Sequence, residues 1–525
     1  MISTMFWSVL IRTGQLLVES STTIFCGLLV AGIMQRMMGT EGIRRLFGNT
    51  GWKGLLRAWG VGMLLPVCSL GVIPIARQML RSGVSSGTVL AFVLAAPHIN
   101  PLSLLYGVTL SDPIVILCFG VASLILAISA GFIWEYYFQN DDSGAAIQEI
   151  QPSPPGLGRL VSVLVCAARE SINPAMFCVY IALVFTGLVS GLLPHGILGL
   201  SMRHTDWVSP LLMGVLAIPF YTGPLQGMMR LGLMFEHGNS VGAAFVLFEL
   251  GIGINLGLIL WMGWLFGFKK IALFFIGLAT CTILIGYGME QPLYFAQEEA
   301  SHTHAFDDWT SPFVFDQSVS TDQIVPKITQ KIEILEPVAL AGWVLLVFVG
   351  ICLRLFDVSG KFENWLQREK SPVQSQPASV WNKKVSGQVL GLVTLLGLVV
   401  FSMVALFLYY PGPGEAMAEI IRVRADAVVA VRSGKKEEAI RQLEKWDLLS
   451  RKLQIGYFLR TGIYAPEAAK AIEELRECME EIRDALLANE TQKAKDLVGP
   501  LEKAFRESRV FFEKDHKEFK SSSQE

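Results

Sequence analysis

The sequence predicts an all-α, polytopic membrane protein with two inverted repeats containing broken re-entrant helices, followed by a C-terminal soluble helical bundle. Three observations support this fold class. The 525 residues are 52% apolar and 17% charged, whereas soluble domains are about 25% charged. Apolar residues are concentrated before residue 290, while residues 411–525 have a soluble composition. Two long apolar stretches are interrupted by Pro and Gly.

Membrane-spanning helices need about 20 predominantly apolar residues. The segments that meet this requirement are 12–35, 86–108, 113–134, 173–193, 241–265, 271–289, 336–356 and 386–410. The first is expected to remain as an uncleaved helix, because the N-terminus lacks a basic start and a small-residue cleavage site. The interrupted stretches, 58–80 and 208–235, are not expected to form continuous spans.

The distribution of charge predicts the orientation of the chain, since cytoplasmic connectors are rich in Lys and Arg. Segment 36–57 is basic and is expected inside, and the acidic segment 291–335 is expected outside. The resulting domains are a core at 1–290 with halves at about 12–134 and 173–289, an extracytoplasmic loop at 291–335, two additional helices with a cytoplasmic connector at 336–410, and a soluble bundle at 411–525.

An internal repeat relates the two halves of the core. Gly83, Gly87 and Asn100 lie 155 residues before Gly238, Gly242 and Asn255, and Pro66 and Arg77 lie 153 residues before Pro219 and Arg230. The order is the same in both halves: an interrupted apolar stretch, a charged turn, and a Gly-rich span that ends in Asn. The predicted topology starts the second half from the opposite face, so the repeats are expected to be inverted.

The interruptions predict where a solute binds. Backbone polar groups in hydrocarbon must be satisfied internally, so broken helices are tolerated only inside protein or beside a polar cavity. Two re-entrant hairpins that meet near the midplane expose helix ends with partial charges, an arrangement typical of secondary transporters. The alternative is a pair of kinked helices with a purely structural role.

The run from Pro66 to Pro101, PVCSLGVIPIARQMLRSGVSSGTVLAFVLAAPHINP, resembles the signature of the YraQ/ArsP-like predicted permeases. That family shows a CSCGVIP-like motif, a basic turn with Gly, and a span of the AF-LLAAP-x-xNP type. The matching residues are Cys68, Gly71, Pro74, Arg77, Gly83, Gly87, Phe92, Ala96, Pro97, Asn100 and Pro101. The resemblance covers about 20–290 and implies a multi-pass permease of the bacterial cytoplasmic (inner) membrane.

The cysteines argue against one substrate class that the resemblance implies. Some family members export trivalent organoarsenicals through membrane thiols, but the second cysteine of the motif is Leu70 here. Thiophilic ions favour several thiolate ligands, so Cys68 alone disfavours such a substrate. The eight cysteines contain no CxxC pair, and no disulfide framework, metal site or cofactor is expected.

Several residues are predicted to line a substrate or ion pathway: Cys68, Pro74, His98, Asn100, Pro219, Glu249 and Asn255. Asn100 and Asn255 end matched spans, where an amide can bind a solute or cap a broken helix. By the 155-residue offset His98 corresponds to Gly253, one helical turn after Glu249. We therefore expect His98 and Glu249 at similar depth, either relaying protons or hydrogen-bonded locally.

Three arginines at the hairpin ends, Arg77, Arg81 and Arg230, are expected to contact lipid headgroups or an anionic solute. The bundle at 411–525 contains two similar segments, 426–446 and 484–505, which include predicted tight turns at 433–435 and 490–492. We expect two helical hairpins in a four-helix bundle that stabilises the protein or docks an extracytoplasmic protein partner.

The predicted function is transport of a small solute or ion, proton-coupled if the relay operates, by alternating access between the two broken hairpins. The alternatives are a non-transporting regulatory or channel-like membrane protein, and a membrane-embedded enzyme, although no phosphate loop, zinc motif or nucleophile elbow occurs. No catalytic residue is assigned. The net charge of −2 and the lack of a basic stripe argue against nucleic acid as a partner. The remaining expected partner is a second copy of the same chain, in a homo-oligomer.

Overall fold

The structure is a computed structural model, and it describes residues 2–48, 51–98, 113–138, 149, 152–153, 157–199, 201–236, 238–294, 305–314, 324, 335–357, 361–362, 387–410, 412–462, 464 and 466–522. Every regular element among these residues is helical. Their backbone contacts divide the chain into two compact units, one comprising 1–107 with 111–402, the other 108–110 with 403–525.

The helices up to residue 409 form the apolar part of the chain. In chain order they are α1 (Ile2–Ile33), α2 (Gly39–Phe47), α3 (Trp52–Leu64), α4 (Val72–Arg81), α5 (Ser86–Ala95), α6 (Pro113–Phe138), α7 (Leu157–Ser171), α8 (Pro174–Leu192), α9 (Ser209–Ala217), α10 (Pro224–Glu236), α11 (Val241–Val246), α12 (Leu256–Phe266), α13 (Phe268–Glu290), α14 (Leu335–Phe356) and α15 (Gly387–Tyr409). A π-helical turn, Met34–Met38, joins α1 to α2, and another, Leu247–Ile252, extends α11.

The apolar helices are those of a multi-pass membrane protein. Among the described residues, five helices are long and apolar enough to cross a membrane, and the count rises to six if the bent pair formed by α11 and α12 is one span. The predicted span 12–35 is part of a longer helical segment, Ser3–Phe47. The predicted span 241–265 is not one straight helix, because its axis bends by 56° between Ile252 and Leu256.

Both interrupted stretches are broken where the sequence predicts. In the first, α3 ends at Leu64 and α4 begins at Val72. In the second, α9 ends at Ala217 and α10 begins at Pro224. Prolines lie in both gaps, where the missing N–H removes one donor that a continued helix needs. We name the gaps break 1 (65–71) and break 2 (218–223).

Helix α7 was not predicted. The sequence indicated a loop at 139–158 and no element before the span at 173–193. The helix from Leu157 to Ser171 is amphipathic and includes Arg159, Arg169 and Glu170. Because of these charges it does not have the composition of an apolar span. It packs against α1 and α14, which places Glu170 inside the larger unit.

Two helix crossings recur at the 155-residue offset. The start of α5 crosses α6 where Gly87 faces Gly131, and the start of α11 crosses α13 where Gly242 faces Gly286. In each pair a Cβ on one glycine would meet the backbone oxygen of the other. Small residues allow such close backbone approach, which is a common basis of helix association in membranes.

The substitution Gly286→Ala is expected to destabilise the protein, because its Cβ would lie 2.9 Å from the backbone oxygen of Gly242. Overpacking of this kind costs about 1–3 kcal/mol. The matched control is Gly277→Ala on the same helix, where nothing lies within 4 Å of the added Cβ. Thermal unfolding in detergent should give a lower midpoint for Gly286→Ala alone; equal midpoints for the two variants would contradict the crossing.

The smaller unit has its own apolar core. Its helices are α16 (Pro413–Arg432), α17 (Lys436–Thr461), α18 (Pro466–Leu487), α19 (Thr491–Asp496) and α20 (Val498–Ser522). Buried residues from all five, including Trp446 and Phe505, form one cluster. The turns that separate α16 from α17 and α18 from α19 contain left-handed residues, Gly434 and Asn489. The first turn lies where the sequence predicts it and the second lies just before the predicted 490–492.

Candidate functional site

Cys68 lies in break 1 and helps to begin the next helix. It is fully buried, and its Sγ accepts a hydrogen bond from the Gly71 N–H at 3.2 Å, while its carbonyl oxygen accepts one from Val72. The first N–H groups of a helix have no partner within the helix, and Cys68 supplies two acceptors there. Pro74 follows in the first turn of α4, the part of a helix in which proline is tolerated.

Break 2 lies next to break 1. The Pro219 carbonyl oxygen accepts a hydrogen bond of 3.1 Å from the Thr186 hydroxyl of α8. Tyr221 is buried, and its hydroxyl interacts electrostatically with Cys68. Within the described part of the chain this hydroxyl has no hydrogen-bond partner of ordinary geometry. Cys26 of α1 also faces Cys68, so two thiols, a phenol and two broken backbones converge.

His98 and Glu249 are in contact. The His98 Nε2 atom lies 3.7 Å from the Glu249 Oε2 atom and 3.2 Å from the Glu249 carbonyl oxygen. The Ser123 hydroxyl of α6 lies 3.1 Å from His98 Nδ1. Both ionisable side chains are buried, and Glu249 lies on the π-helical turn, a distortion that often marks functional positions.

Gly253, which the 155-residue offset matches to His98, lies directly against the His98 ring. A Cβ on Gly253 would collide with the His98 imidazole, so glycine is what lets the ring pack on this backbone. Asn255 caps α12, since its Oδ1 accepts from the Leu258 N–H at 2.9 Å, and its buried Nδ2 has no partner among the described residues. Asn100, predicted as its equivalent, lies outside the described residues.

Two of the three predicted arginines bind a glutamate that the sequence did not single out. Arg77 Nη1 lies 2.5 Å from Glu170 Oε2, and Arg81 Nη1 lies 3.4 Å from Glu170 Oε1. Gln78 and Asn173 also donate to this carboxylate, at 2.8 and 3.0 Å. Glu170 is buried, and the three donors on α4 therefore hold that helix to α7, while Asn173 lies just beyond α7 itself.

The third arginine lies in a different cluster. Arg230 of α10 donates from Nε to the Ala305 carbonyl oxygen at 2.7 Å and from Nη1 to Thr222 in break 2 at 2.9 Å. Its guanidinium lies 4.5 Å from the Trp309 ring centroid. Arg12 of α1 donates to the carbonyl oxygens of Thr310 and Asp307 at 2.8 and 2.7 Å.

A polar cavity of about 40 Å³ lies between α1, α8, break 2 and the 305–310 segment. A cavity needs roughly 10–15 Å³ to hold one water, so a few waters fit. Its polar lining includes Arg12, Gln15, Glu19, Tyr221, Gln226 and Arg230. Since Tyr221 also faces Cys68, the cavity reaches the place where the two breaks meet. No cluster of three or more metal-binding side chains occurs among the described residues.

A comparison with protein families identifies the larger unit. The model of the family described as "Predicted permease", ArsP_1, matches residues 6–290, more than half of the 525 residues. The chain belongs to this permease family. Both breaks, the cavity-lining residues of α1, α8 and α10, and the His98–Glu249 pair lie inside the matched region, so the family assignment covers the site.

Two curated relatives of the permease are similar over part of their length. UPF0718 protein YcgR of Bacillus subtilis (strain 168) is 30% identical over 168 residues, which cover 30% of this chain and 54% of the relative. A putative two-component membrane permease complex subunit of Streptococcus mutans serotype c is 26% identical over 89 residues, 17% of this chain and 30% of the relative. The chain thus spans about half or less of these relatives' lengths. No solved structure matches it.

Sequence reasoning missed several residues of the permease site. Glu170 lies on the unpredicted helix α7, and Arg12 and Glu19 lie within the predicted span 12–35, whose apolar composition does not single them out. Tyr221 follows the second predicted proline by two residues and carried no separate signal. A recurring GxxxE pattern, Gly131 to Glu135 and Gly286 to Glu290, was present in the sequence and marks the helices that face the two matched helix starts.

Proposed function

We propose that this permease moves a small solute or ion across the bacterial cytoplasmic membrane by alternating access through the cavity beside breaks 1 and 2. The observation that carries the proposal is the meeting of the two breaks, through Tyr221 and Cys68, next to a polar cavity inside the family-matched region. Broken backbone at membrane depth is tolerated where it lines such a cavity.

We propose further that the two halves are inverted repeats. Matched carboxylates face matched helix starts: Glu135 lies beside Gly87, and Glu290 accepts from Ser240 and the Gly242 N–H. Trp134, next to Glu135, packs on Phe266 and Phe274 near the start of α13. Glu290 ends that helix, 16 residues beyond Phe274.

A rise of 1.5 Å per residue puts those 16 residues at about 24 Å. The two matched helix starts are therefore separated by most of a hydrocarbon core of about 30 Å. This separation supports two halves of opposite orientation. Transporters built from inverted repeats of this kind work by alternating access.

The His98–Glu249 pair is proposed to carry the coupling proton. It joins the residues that follow α5 in the first half to the π-helical turn of the second half, and the rings of His98 and Phe248 lie 4.9 Å apart. Ionisable groups at membrane depth are costly and mark ion or proton pathways. The pair would change charge as the two halves move relative to each other.

The name of the Streptococcus relative refers to a two-component permease complex. We propose that this permease also has a protein partner, and that the C-terminal unit, expected outside the cytoplasm, provides its docking surface. Co-purification of the full chain and of a chain ending at 410 from the native membrane tests this; a partner retained equally by both would contradict the docking role.

Transport can be tested without knowing the solute. Purified permease in liposomes is exposed to osmotic steps of glycerol, urea, choline chloride, sodium phosphate or sodium methanesulfonate, and entry is followed by light scattering. We expect faster entry of at least one solute than into empty liposomes, and its loss in Gln226→Trp, which fills the cavity. Rates equal to those of empty liposomes for every solute would contradict the proposal. The Gly277→Ala variant is the control with unaltered packing.

A further inference from the structure

The 305–310 segment covers the cavity and is held mainly through its backbone. Arg12 and Arg230 donate to the carbonyl oxygens of three of its residues, and Trp309 stacks on Phe220 of break 2 with ring centroids 4.7 Å apart. Both arginine side chains are at most 8% exposed. Three backbone carbonyls and one ring thus fix the segment to α1, α10 and break 2.

One of these carboxylates lies between the two arginines. Asp308 Oδ1 is 3.9 Å from Arg12 Nη1, and Asp308 Oδ2 is 3.9 Å from Arg230 Nη2. Both distances exceed the 2.7–3.2 Å of an N–H···O hydrogen bond. Two buried guanidinium groups thus lie at ion-pair distance from one carboxylate, each nearest to a different oxygen.

The charges around the two arginines depend on the covering segment. The carboxylates that act on Arg12 and Arg230 are those of Asp308, Asp307 and Glu19. Asp307 and Asp308 belong to the covering segment, so its departure leaves Glu19 as the only one of these three facing two guanidinium groups. Glu336 of α14 also lines the cavity, so two guanidinium groups and two carboxylates then remain beside the buried Tyr221 hydroxyl, which faces Cys68.

We propose that Arg12 and Arg230 form a binding site for one oxyanion group of a solute, such as a carboxylate, sulfonate or phosphate, and that Asp308 occupies its position in this structure. The inference rests on the proposed transport function and adds the class of the solute. The 305–310 segment acts as a lid whose aspartate competes with the solute. Guanidinium groups suit this role because their N–H donors match the planar geometry of oxyanions.

Competition by the lid gives a measurable consequence. A ligand that binds only the open fraction of a protein has an apparent Kd that is raised in inverse proportion to that fraction. Neutralising Asp308 removes the competitor while the cations remain. Asp308→Asn is therefore expected to bind methanesulfonate about tenfold more tightly than the unmodified chain.

Binding of sodium methanesulfonate to the full-length permease in detergent can be measured by calorimetric titration, with dimethyl sulfone as the uncharged analogue. Asp307→Asn is the comparison from the same lid. Asp307 also acts on both arginines, but Asp308 is the carboxylate placed between them, so Asp307→Asn should lower the Kd by no more than about threefold. Arg230→Gln should abolish binding, and Arg230→Lys should restore part of it. Thermal midpoints of all variants report whether each is folded.

The proposal is overturned if Asp308→Asn and Asp307→Asn change the Kd equally, if methanesulfonate and dimethyl sulfone bind alike, or if folded Arg230→Gln binds normally. Its failure is distinguishable from failure of the transport function. Entry of glycerol, urea or choline into proteoliposomes without any anion binding would support the transport function and contradict the anion site. Anion binding without entry of any solute would support the anion site and contradict the transport function.

Discussion

Glu170→Ala is expected to lower the free energy of unfolding of the permease by about 3–5 kcal/mol, the usual cost of removing one partner from a buried ion pair. The substitution leaves Arg77, Arg81, Gln78 and Asn173 without their common acceptor. Glu170→Gln, which keeps one acceptor oxygen, should lose less. Unfolding by denaturant in detergent micelles, followed by circular dichroism, measures the loss.

The control is an exposed ion pair in the same half of the protein. Glu41 and Arg45 pair across one helical turn of α2, and both side chains are at least 65% exposed. Exposed pairs contribute about 0–1 kcal/mol, so Glu41→Ala should have little effect. Equal losses in Glu170→Ala and Glu41→Ala would show that the buried cluster does not hold α4 to α7.

Glu249→Gln and His98→Asn are each expected to abolish proton coupling of transport. A gradient of one pH unit is worth about 1.4 kcal/mol per proton, which can concentrate a coupled solute roughly tenfold. Proteoliposomes carrying the unmodified permease should accumulate the solute identified by light scattering to that extent under an imposed pH gradient. Either variant should only equilibrate it, because the group that accepts the proton at the contact of the halves is missing.

A second histidine–glutamate pair provides the control. His204 Nδ1 lies 2.6 Å from Glu290 Oε1, next to the start of α11 and away from the His98 contact. His204→Asn should keep the full response to the pH gradient. Accumulation of the solute to the unmodified level in both His98→Asn and Glu249→Gln would contradict the proposed proton relay.

The large features of the fold could be predicted because they depend on composition and on proline. Apolar runs of spanning length, and breaks at Pro66 and Pro219, follow from the sequence without tertiary information. The bend at 253–255 could not be predicted in the same way, since residues 241–265 contain no proline and are apolar apart from Glu249 and Asn255. Its causes are tertiary: the His98 ring packs on Gly253, and Asn255 caps a new helix.

The site was only partly predictable for a related reason. His98 and Glu249 stand out because charges are rare at membrane depth, and the 155-residue offset predicted their similar depth. The partners of Arg77 and Arg230 did not stand out, because Glu170 lies on an amphipathic helix and Asp308 lies in an acidic loop. Pairings between segments 78 or more residues apart depend on packing that no local pattern records.

The most direct test of the inverted architecture is the sidedness of the two matched helix starts. Arg44 donates to the Ser82 carbonyl oxygen near the start of α5, and Ser240 at the start of α11 donates to the Met202 carbonyl oxygen. Exposed Arg45 and Thr205 next to these contacts can be replaced singly by cysteine in a chain freed of its eight native cysteines. A membrane-impermeant maleimide should label Arg45→Cys only from the cytoplasmic side and Thr205→Cys only from the opposite side, whereas labelling of both from the same side would contradict inverted halves and the alternating access built on them.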